Sequence, residues 1–365
     1  MKILFMRPQV EMGGVSRHML LLAEALEARG HSVSVATSGG DWVARFPSVH
    51  HASLYPSSPH KLLLAVAQLA RLVRREQIEI LHSHHRFTTL VGRGVAWLAR
   101  VPLVCTVHEF KTNWSGMARL WLAPWVCVPT LALREHLVRV YAALPERISV
   151  IQIGPEPTPP APVVAARLRQ ELVGAAAGPV VGYIGRLAPE KGVGDLLAAL
   201  PDVFRAAPAA HALIVGDGVE RAALQHEARR LGVAERVHFV GARADGPLVI
   251  EAMDVVVAPS LTENFSLSVA EAMAAGRPVV ATRVGGLVEL VEENVTGLFA
   301  PPADPAALAR RIVELLQDPE RSARFGAAAR RTATHWSPAQ AAGGMEAFYR
   351  RAVETAFRRE RVSSK

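Results

Sequence analysis

Apolar positions along this chain follow two alternating periods. Short runs rich in Val, Ile and Leu read as buried strands at 2–6, 32–36, 78–82, 103–107 and 125–128, and again at 180–184, 212–215, 237–240, 255–258 and 279–282. Longer stretches between them repeat apolar residues every three to four positions. After the pair Gly13-Gly14, for example, Val15, Met19, Leu22 and Leu26 share one helical face, and Gly30 ends that helix. Thr130 is placed to cap the helix that follows the strand at 125–128. Strands alternating with helices predict an α/β fold of parallel sheets covered on both faces.

Pro155, Pro157, Pro159, Pro160 and Pro162 interrupt this alternation and lead into an alanine-rich stretch. Prolines lack backbone donors, so a sheet cannot run through them, and the spacing predicts a linker at 156–178. The expected organisation is then a Rossmann-like domain at 1–155 and a second at 179–337. A last amphipathic helix near 338–358, with a basic tail, makes 338–365 a segment expected to cross back to the first domain. Two doubly wound domains of this kind are expected to face a central cleft lined by the carboxyl ends of their strands.

Composition narrows the setting. With 365 residues and 50% apolar content, the chain can bury two ordinary cores. Its most apolar run, 120–133, carries Pro124 and Pro129 and is too short for a membrane span of about 20 residues. The start is too short in apolar residues for a signal peptide and reads as the first strand. Cys105 and Cys127 are the only cysteines, which fits a reducing cytoplasm better than a disulfide framework.

Charge is unevenly placed: residues 1–150 hold 17 Lys and Arg against 9 Asp and Glu, while the remainder is balanced at 24 each. The first half is therefore the candidate for an anionic partner, an acidic acceptor or a membrane surface, although a basic soluble face explains the count equally well. The helical stretch 61–75 ends in Arg71, Arg74 and Arg75, and Trp114, Trp121 and Trp125 lie near Lys111 and Arg119. Such mixtures suit a peripheral contact with anionic membrane, or ordinary packing. Basic residues form no dense run, so no nucleic-acid partner is expected.

The chemistry concentrates where a strand meets a helix at 255–278. Glu263 lies on the connecting loop, a helix starts near Ser266, and Glu271 follows about one turn inside it. Backbone amides in a first helical turn have no intrahelical acceptor and favour an anion such as a diphosphate. Glu271 is placed to accept two ribose hydroxyls, and Glu263 to reach toward a sugar. Either glutamate alone also reads as a solvated face or a partner of the helix dipole. A second loop, Gly185-Arg186 to Lys191-Gly192, follows the strand at 180–184 and brings a guanidinium and an ammonium that can stabilise a departing nucleoside diphosphate.

Glu263, seven residues, Glu271 resembles the signature of the retaining glycosyltransferases of family 4, which have the GT-B fold, and the likeness extends along nearly the whole chain. The resemblance implies that Glu263 contacts the donor sugar and Glu271 the ribose. It further implies that Asn264, Phe265, Ser266 and Leu267 hold sugar hydroxyls and phosphates through their backbone, and that Arg186 and Lys191 clasp the diphosphate. His108, at the end of the strand 103–107, then stands where family members keep a histidine against the donor sugar. Gly13 and Gly14 resemble the glycine turn that lets substrate approach the backbone. Arg243, after the strand 237–240, is a candidate neighbour of the nucleotide base.

The implied catalytic set is His108, Glu263, Arg186 and Lys191. The partners it implies are a nucleotide-sugar donor, UDP- or GDP-linked, and a glycan, lipid or small-molecule acceptor. No cofactor is expected. His82, His84 and His85 raise a metal reading, but no carboxylate lies near them in sequence, and the chain has no Asp-x-Asp to hold a divalent ion on a diphosphate. The chain departs from the family pattern in having Asn264 where many members have Gly, and Gln152-Ile153-Gly154-Pro155 where Pro-Asn-Gly is common. These departures suit the alternative of a non-catalytic nucleotide-sugar-binding partner of an active transferase.

Overall fold

The computed structural model describes residues 1–55, 58–109, 121–157, 159–174 and 178–363, with side chains as far as 356. Met1–Ile153 together with Pro338–Lys365 form one compact unit, and Gly154–Ser337 form the other.

The first unit holds strands β1 (Lys2–Met6), β2 (Ser32–Thr37), β3 (Val49–His51), β4 (Ile80–Ser83), β5 (Leu103–Thr106), β6 (Trp125–Val128) and β7 (Ile148–Val150). They form one parallel sheet in the order β3-β2-β1-β4-β5-β6-β7. Parallel neighbours need crossovers, and α1 (Gly14–Glu27), α2 (Pro59–Glu76), α3 (Arg86–Ala99) and α4 (Leu131–Tyr141) supply them. Strand order reverses between β1 and β4, and the loops at the carboxyl ends of those strands are the place where such sheets bind ligands.

In the second unit, β8 (Val180–Ile184), β9 (His211–Val215), β10 (Val237–Gly241), β11 (Val255–Ala258), β12 (Val279–Thr282) and β13 (Gly297–Ala300) form a parallel sheet in the order β10-β9-β8-β11-β12-β13. Helices α5 (Pro162–Leu172), α6 (Val193–Ala206), α7 (Arg221–Arg230), α8 (Gly246–Val249), α9 (Leu267–Ala274), α10 (Leu287–Leu290), α11 (Pro305–Gln317) and α12 (Pro319–Ala333) surround it. Here the reversal lies between β8 and β11. The prolines that follow Gly154 lead into α5, which has Pro162 in its first turn and packs beside α8. Asp304 and Asp318 cap α11 and α12, each carboxylate accepting the backbone N–H three residues on at 2.8 Å.

After Ser337 the chain forms α13 (Pro338–Ser363) in the first unit. Ala341, Ala342, Met345, Phe348, Tyr349 and Ala352 are buried there. Phe348 meets Trp125 edge-on at 6.1 Å, and the Arg351 guanidinium donates to Ser149 Oγ at 2.6 Å. Glu346 accepts from Arg29 Nε at 2.7 Å and lies 2.9 Å from His31 Nε2.

Three strands escape the apolar pattern: β3, β7 and β13, each the outer strand of its sheet and only three or four residues long. β3 and β7 are partly exposed, so their sequences are less constrained to be apolar, whereas β13 is buried throughout and, at four residues opening with Gly297, is too short for its period to stand out. The strand expected at 78–82 begins at Ile80. Gln77 adopts a left-handed conformation (φ 57°) and the Ile78 amide donates to Val73 O at 2.9 Å, so Ile78 closes the end of α2 instead.

Candidate functional site

In the second unit, the loops after β8 and β11 meet at the strand-order reversal. Loop 185–192 ends in a 3₁₀ turn, Pro189–Lys191, and Gly192 starts α6 in the left-handed region (φ 63°). A Cβ on Gly192 would lie 2.0 Å from Pro259 O, so only glycine lets the two loops touch there. Leu261 N–H donates to Glu190 O at 2.9 Å and ties them again.

This contact brings Lys191 to Glu263. Lys191 Nζ donates to Glu263 Oε2 at 2.6 Å, and the carboxylate is nearly enclosed, its side chain 10% exposed. The Asn264 N–H donates to Glu263 Oε1 at 3.2 Å, and Ser260 Oγ lies 3.5 Å from Oε2. Buried carboxylates persist only with such partners. The main chain of Glu263 is fixed from the other side, because its carbonyl accepts from Gly286 N–H at 3.0 Å. Gly285 sits against the same carbonyl at φ 45°, where a Cβ would stand 1.9 Å away. Thr282 Oγ1 donates to Ser260 O at 2.5 Å. Sequence reasoning missed Ser260, Thr282, Gly285 and Gly286; the pair Gly285-Gly286 just after a strand was the available signal.

Helix α9 starts immediately beyond, with Ser266 as its cap, the hydroxyl accepting from Val269 N–H at 3.3 Å. Leu267 opens the helix, and Val269, Ala270, Ala272, Met273 and Ala274 are buried. Glu271 lies on the half-buried remainder of α9. Phe265 packs edge-on to Trp336 at 6.4 Å. The second expected cation lies differently: Arg186 is exposed and pairs with Glu190, while its carbonyl accepts from the buried Tyr183 hydroxyl at 2.8 Å. Burial beside Glu263 pushes the Tyr183 phenol well above its usual range. Arg243 forms a two-point pair with Asp245, both contacts 2.8 Å, rather than joining Lys191 and Glu263. Gly185 leads loop 185–192 out of β8.

In the first unit, Gly13 and Gly14 open α1 with nothing within 4 Å of the direction a side chain would take. His108 lies just past β5, half-buried, its Nε2 3.3 Å from Nδ1 of His84, which follows β4. His18 from α1 packs edge-on to His108, ring centres 4.8 Å apart. His82 is tied at both nitrogens, 2.7 Å from Tyr349 Oη and 2.7 Å from Thr106 Oγ1. His85 caps α3, its Nδ1 accepting from Phe87 N–H at 3.3 Å. Burial disfavours the charged imidazole, lowering His18 to about 4 and His82 to about 3. Burial also holds His84 and His108 well below the ordinary range, helped by neighbouring histidines and Arg7.

Leu63 and Leu64 on α2 and Trp97 on α3 are exposed, as are Arg71, Arg74 and Arg75, and Trp97 and Arg74 line one shallow hollow. Trp121 packs on Phe87 and Trp125 is buried, whereas Lys111, Trp114 and Arg119 lie outside the described residues. Both cysteines are free and buried, their thiols pushed up to about 12. Among the described residues, no helix is long and apolar enough to cross a membrane.

Comparison with known proteins agrees with this architecture in both units. Residues 12–157 match the family described as Glycosyltransferase Family 4, and residues 178–318 the family described as Glycosyl transferases group 1. The D-inositol 3-phosphate glycosyltransferase of Corynebacterium glutamicum is 31% identical over 325 residues, covering 81% of this chain and 78% of the relative. The 2-deoxystreptamine glucosyltransferase of Streptomyces kanamyceticus is 31% identical over 283 residues, covering 71% of this chain and 73% of that one. Among solved structures, the Anabaena protein HepE in complex with UDP and glucose superposes with a TM-score of 0.82 at 27% identity, covering 95% of this chain and 98% of its own. With both halves matched and two parallel Rossmann-like sheets in place, the chain belongs to the family 4 glycosyltransferases of GT-B fold.

Proposed function

We propose that this glycosyltransferase is a retaining, metal-independent hexosyltransferase that uses a UDP-linked hexose, with GDP-linked sugars as the second candidate. The observation that carries this reading is the pairing of Lys191 with Glu263 at 2.6 Å, beside the first turn of α9. The ammonium and the first-turn amides bind the diphosphate, joined by Arg186, whose exposed side chain can exchange Glu190 for a phosphate. Glu271 accepts from the ribose hydroxyls, and the backbone of Asn264, Phe265, Ser266 and Leu267 holds sugar and phosphate. Glu263 orients the sugar and meanwhile keeps Lys191 in position. His108, Gly13 and Gly14 as donor and acceptor contacts, and Arg243 near the base, rest on the family resemblance.

In the reaction, the bond between the anomeric carbon and the β-phosphate oxygen breaks and the nucleoside diphosphate leaves with the electron pair. Lys191, Arg186 and the helix amides stabilise the charge it gains. The acceptor hydroxyl attacks the anomeric carbon on the face the diphosphate leaves, and its proton passes to a phosphate oxygen, so configuration is kept. Metal independence is inferred from the lack of any Asp-x-Asp and from these cations at the phosphate position. The relatives named for D-inositol 3-phosphate and 2-deoxystreptamine support a small hydroxylated acceptor, with a glycan or lipid acceptor as the alternative.

We further propose a cytoplasmic protein that touches anionic membrane through Leu63, Leu64 and Trp97, backed by Arg71, Arg74 and Arg75. Co-sedimentation with vesicles containing phosphatidylserine should fall when Trp97 and Leu63 are both changed to Ser; equal binding would refute this contact.

Function is tested by incubating the protein with UDP-glucose, GDP-mannose and ADP-glucose with a chelator present, and measuring released nucleoside diphosphate with and without polyol acceptors. UDP release that survives chelation supports the reading. Release of no diphosphate from any donor, with UDP still raising the melting temperature, would leave a nucleotide-sugar-binding protein instead. A nucleotide at a hundred times its dissociation constant adds about 2.7 kcal/mol of stability, enough to read by thermal shift.

A further inference from the structure

Four rings in the first unit form a continuous row that the donor contacts leave unused. Tyr55 follows β3, His85 and Phe87 follow β4, and Trp121 comes from the segment leading into β6. Tyr55 meets Phe87 with ring centres 5.0 Å apart, and Phe87 meets Trp121 edge-on at 5.2 Å. His85 lies 5.7 Å from both Tyr55 and Phe87. Contacts of this kind usually bury the rings that make them, yet Tyr55 is 52% exposed, and Phe87 and Trp121 are half-buried. The row therefore offers aromatic surface beside the strand-order reversal, where sheets of this kind take ligands.

Polar contacts hold the row in place. The carbonyl of His85 accepts from the hydroxyls of Ser83 at 2.9 Å, Thr88 at 2.7 Å and Thr89 at 3.2 Å, which fixes the start of α3. His85 Nδ1 accepts from Phe87 N–H, so the ring proton sits on Nε2, which donates to Tyr55 Oη at 3.4 Å. Tyr55 accepts there, and its own proton is left to donate elsewhere. Arg86 stands between His85 and Phe87, its Cζ 5.1 Å over the Phe87 ring. Among the described residues its Nε is buried without a hydrogen-bond partner, and the first turn of α3 holds no acidic residue. A buried donor on a cation is costly to leave unpaired, and a guanidinium matches two oxygens of one anion.

From this arrangement we propose that Tyr55, Phe87, Trp121 and Arg86 form an acceptor subsite for a hydroxylated ring that carries an anionic group, phosphate or carboxylate. The C–H face of the ring packs on the aromatic faces, whose quadrupole is negative. Its anion pairs with Arg86, and the Tyr55 hydroxyl donates to a ring oxygen. Arg7, near Tyr55, adds positive charge that Glu11 and Glu109 partly offset, so Arg86 is the cation that selects. This assignment rests on the reading of the chain as a sugar transferase with a small hydroxylated acceptor, and narrows that acceptor to a charged one.

The test is a calorimetric titration of the full-length protein with inositol 1-phosphate against inositol, and with glucuronate against glucose, each with and without UDP. The anionic member of at least one pair should bind about 10–100-fold more tightly than its neutral partner, the range of a hydrogen bond to a charged group. Arg86→Gln should abolish that preference, whereas Tyr55→Ala should weaken both members of the pair by about 2–10-fold. Arg100→Gln makes the same change of charge at the other end of α3 and should bind as the parent does. Phosphatidylinositol vesicles that bind more tightly than inositol 1-phosphate, and lose binding in Arg86→Gln, would support the subsite and put the ring on a lipid. Equal binding of charged and neutral rings by the parent would overturn the proposal. So would no binding of any ring with or without UDP, or an unchanged preference in a folded Arg86→Gln. Should that variant fail to fold, the preference of the parent and the loss in the half-exposed Tyr55→Ala decide together. The titration without UDP needs neither donor nor turnover, so its outcome is separate from that of the donor assignment above.

Discussion

Lys191 and Glu263 stand 72 residues apart in the chain and 2.6 Å apart in space, inside a pocket of loops where the carboxylate is nearly enclosed. At that depth, removing one partner leaves the other charge poorly compensated, which costs more than breaking a surface ion pair. Lys191→Ala removes the cation proposed to meet the leaving diphosphate and also leaves Glu263 without its main partner. Loss of one such transition-state contact typically costs about 10²–10³ in turnover. We therefore expect a fall of that size in kcat for UDP-sugar turnover, with the circular dichroism spectrum of the parent retained. Turnover within twofold of the parent would refute the assigned role.

Elements, not single residues, give that pair its place. Loop 185–192 is held by Gly192 against Pro259, and the Glu263 loop by Gly285 and Gly286 against its own carbonyl. Gly285→Ala forces a side chain into the left-handed region and onto a carbonyl oxygen 1.9 Å from its Cβ. Strained backbone of this kind costs about 1–3 kcal/mol, and relief of the clash must displace Glu263. The variant should unfold at lower urea by that margin and lose turnover, with Gly194→Ala as a control because no atom lies within 4 Å of that site. Equal loss in both variants would show that the Glu263 loop is not the cause.

For the molecule as a whole, the last helix decides how the first unit is completed. Phe348 and Tyr349 are fully buried there, and Phe348→Ala should cost about 3–5 kcal/mol by the cavity it leaves, read as a lower urea midpoint for this unit. A loss under 1 kcal/mol would mean that α13 is dispensable to the core. Glu346 gives the same helix a pH signature. Hydrogen bonds from Arg29 and His31 hold its carboxylate at about 2, below the ordinary 4.5. A depressed carboxylate stabilises the fold fully above the unfolded value and loses that contribution as pH falls through the folded one. The stability gap between the parent and Glu346→Gln should thus be constant above about pH 5 and narrow from 4.5 toward 2; a gap independent of pH would contradict it.

Much of this protein is determined locally and is legible in the sequence. Apolar runs mark ten of the strands because strands covered on both faces are predominantly apolar, with buried Ser34, His82 and Ser83 among the exceptions. Ser266 and Thr130 mark helix starts because a cap acts on amides only three residues away. Glu263, Glu271, Arg186 and Lys191 stand out because their spacing follows one strand, one loop and one helix at a time. Tertiary structure alone decided which of them meet: Lys191 found Glu263, whereas Arg186 turned to Glu190 and Arg243 to Asp245. It also gathered His18, His84 and His108, which no spacing links, since β1 lies beside β4 rather than beside β3. The physical reason is that strand order is set by how long crossovers pack, over distances along the chain that no local period of hydrophobicity records.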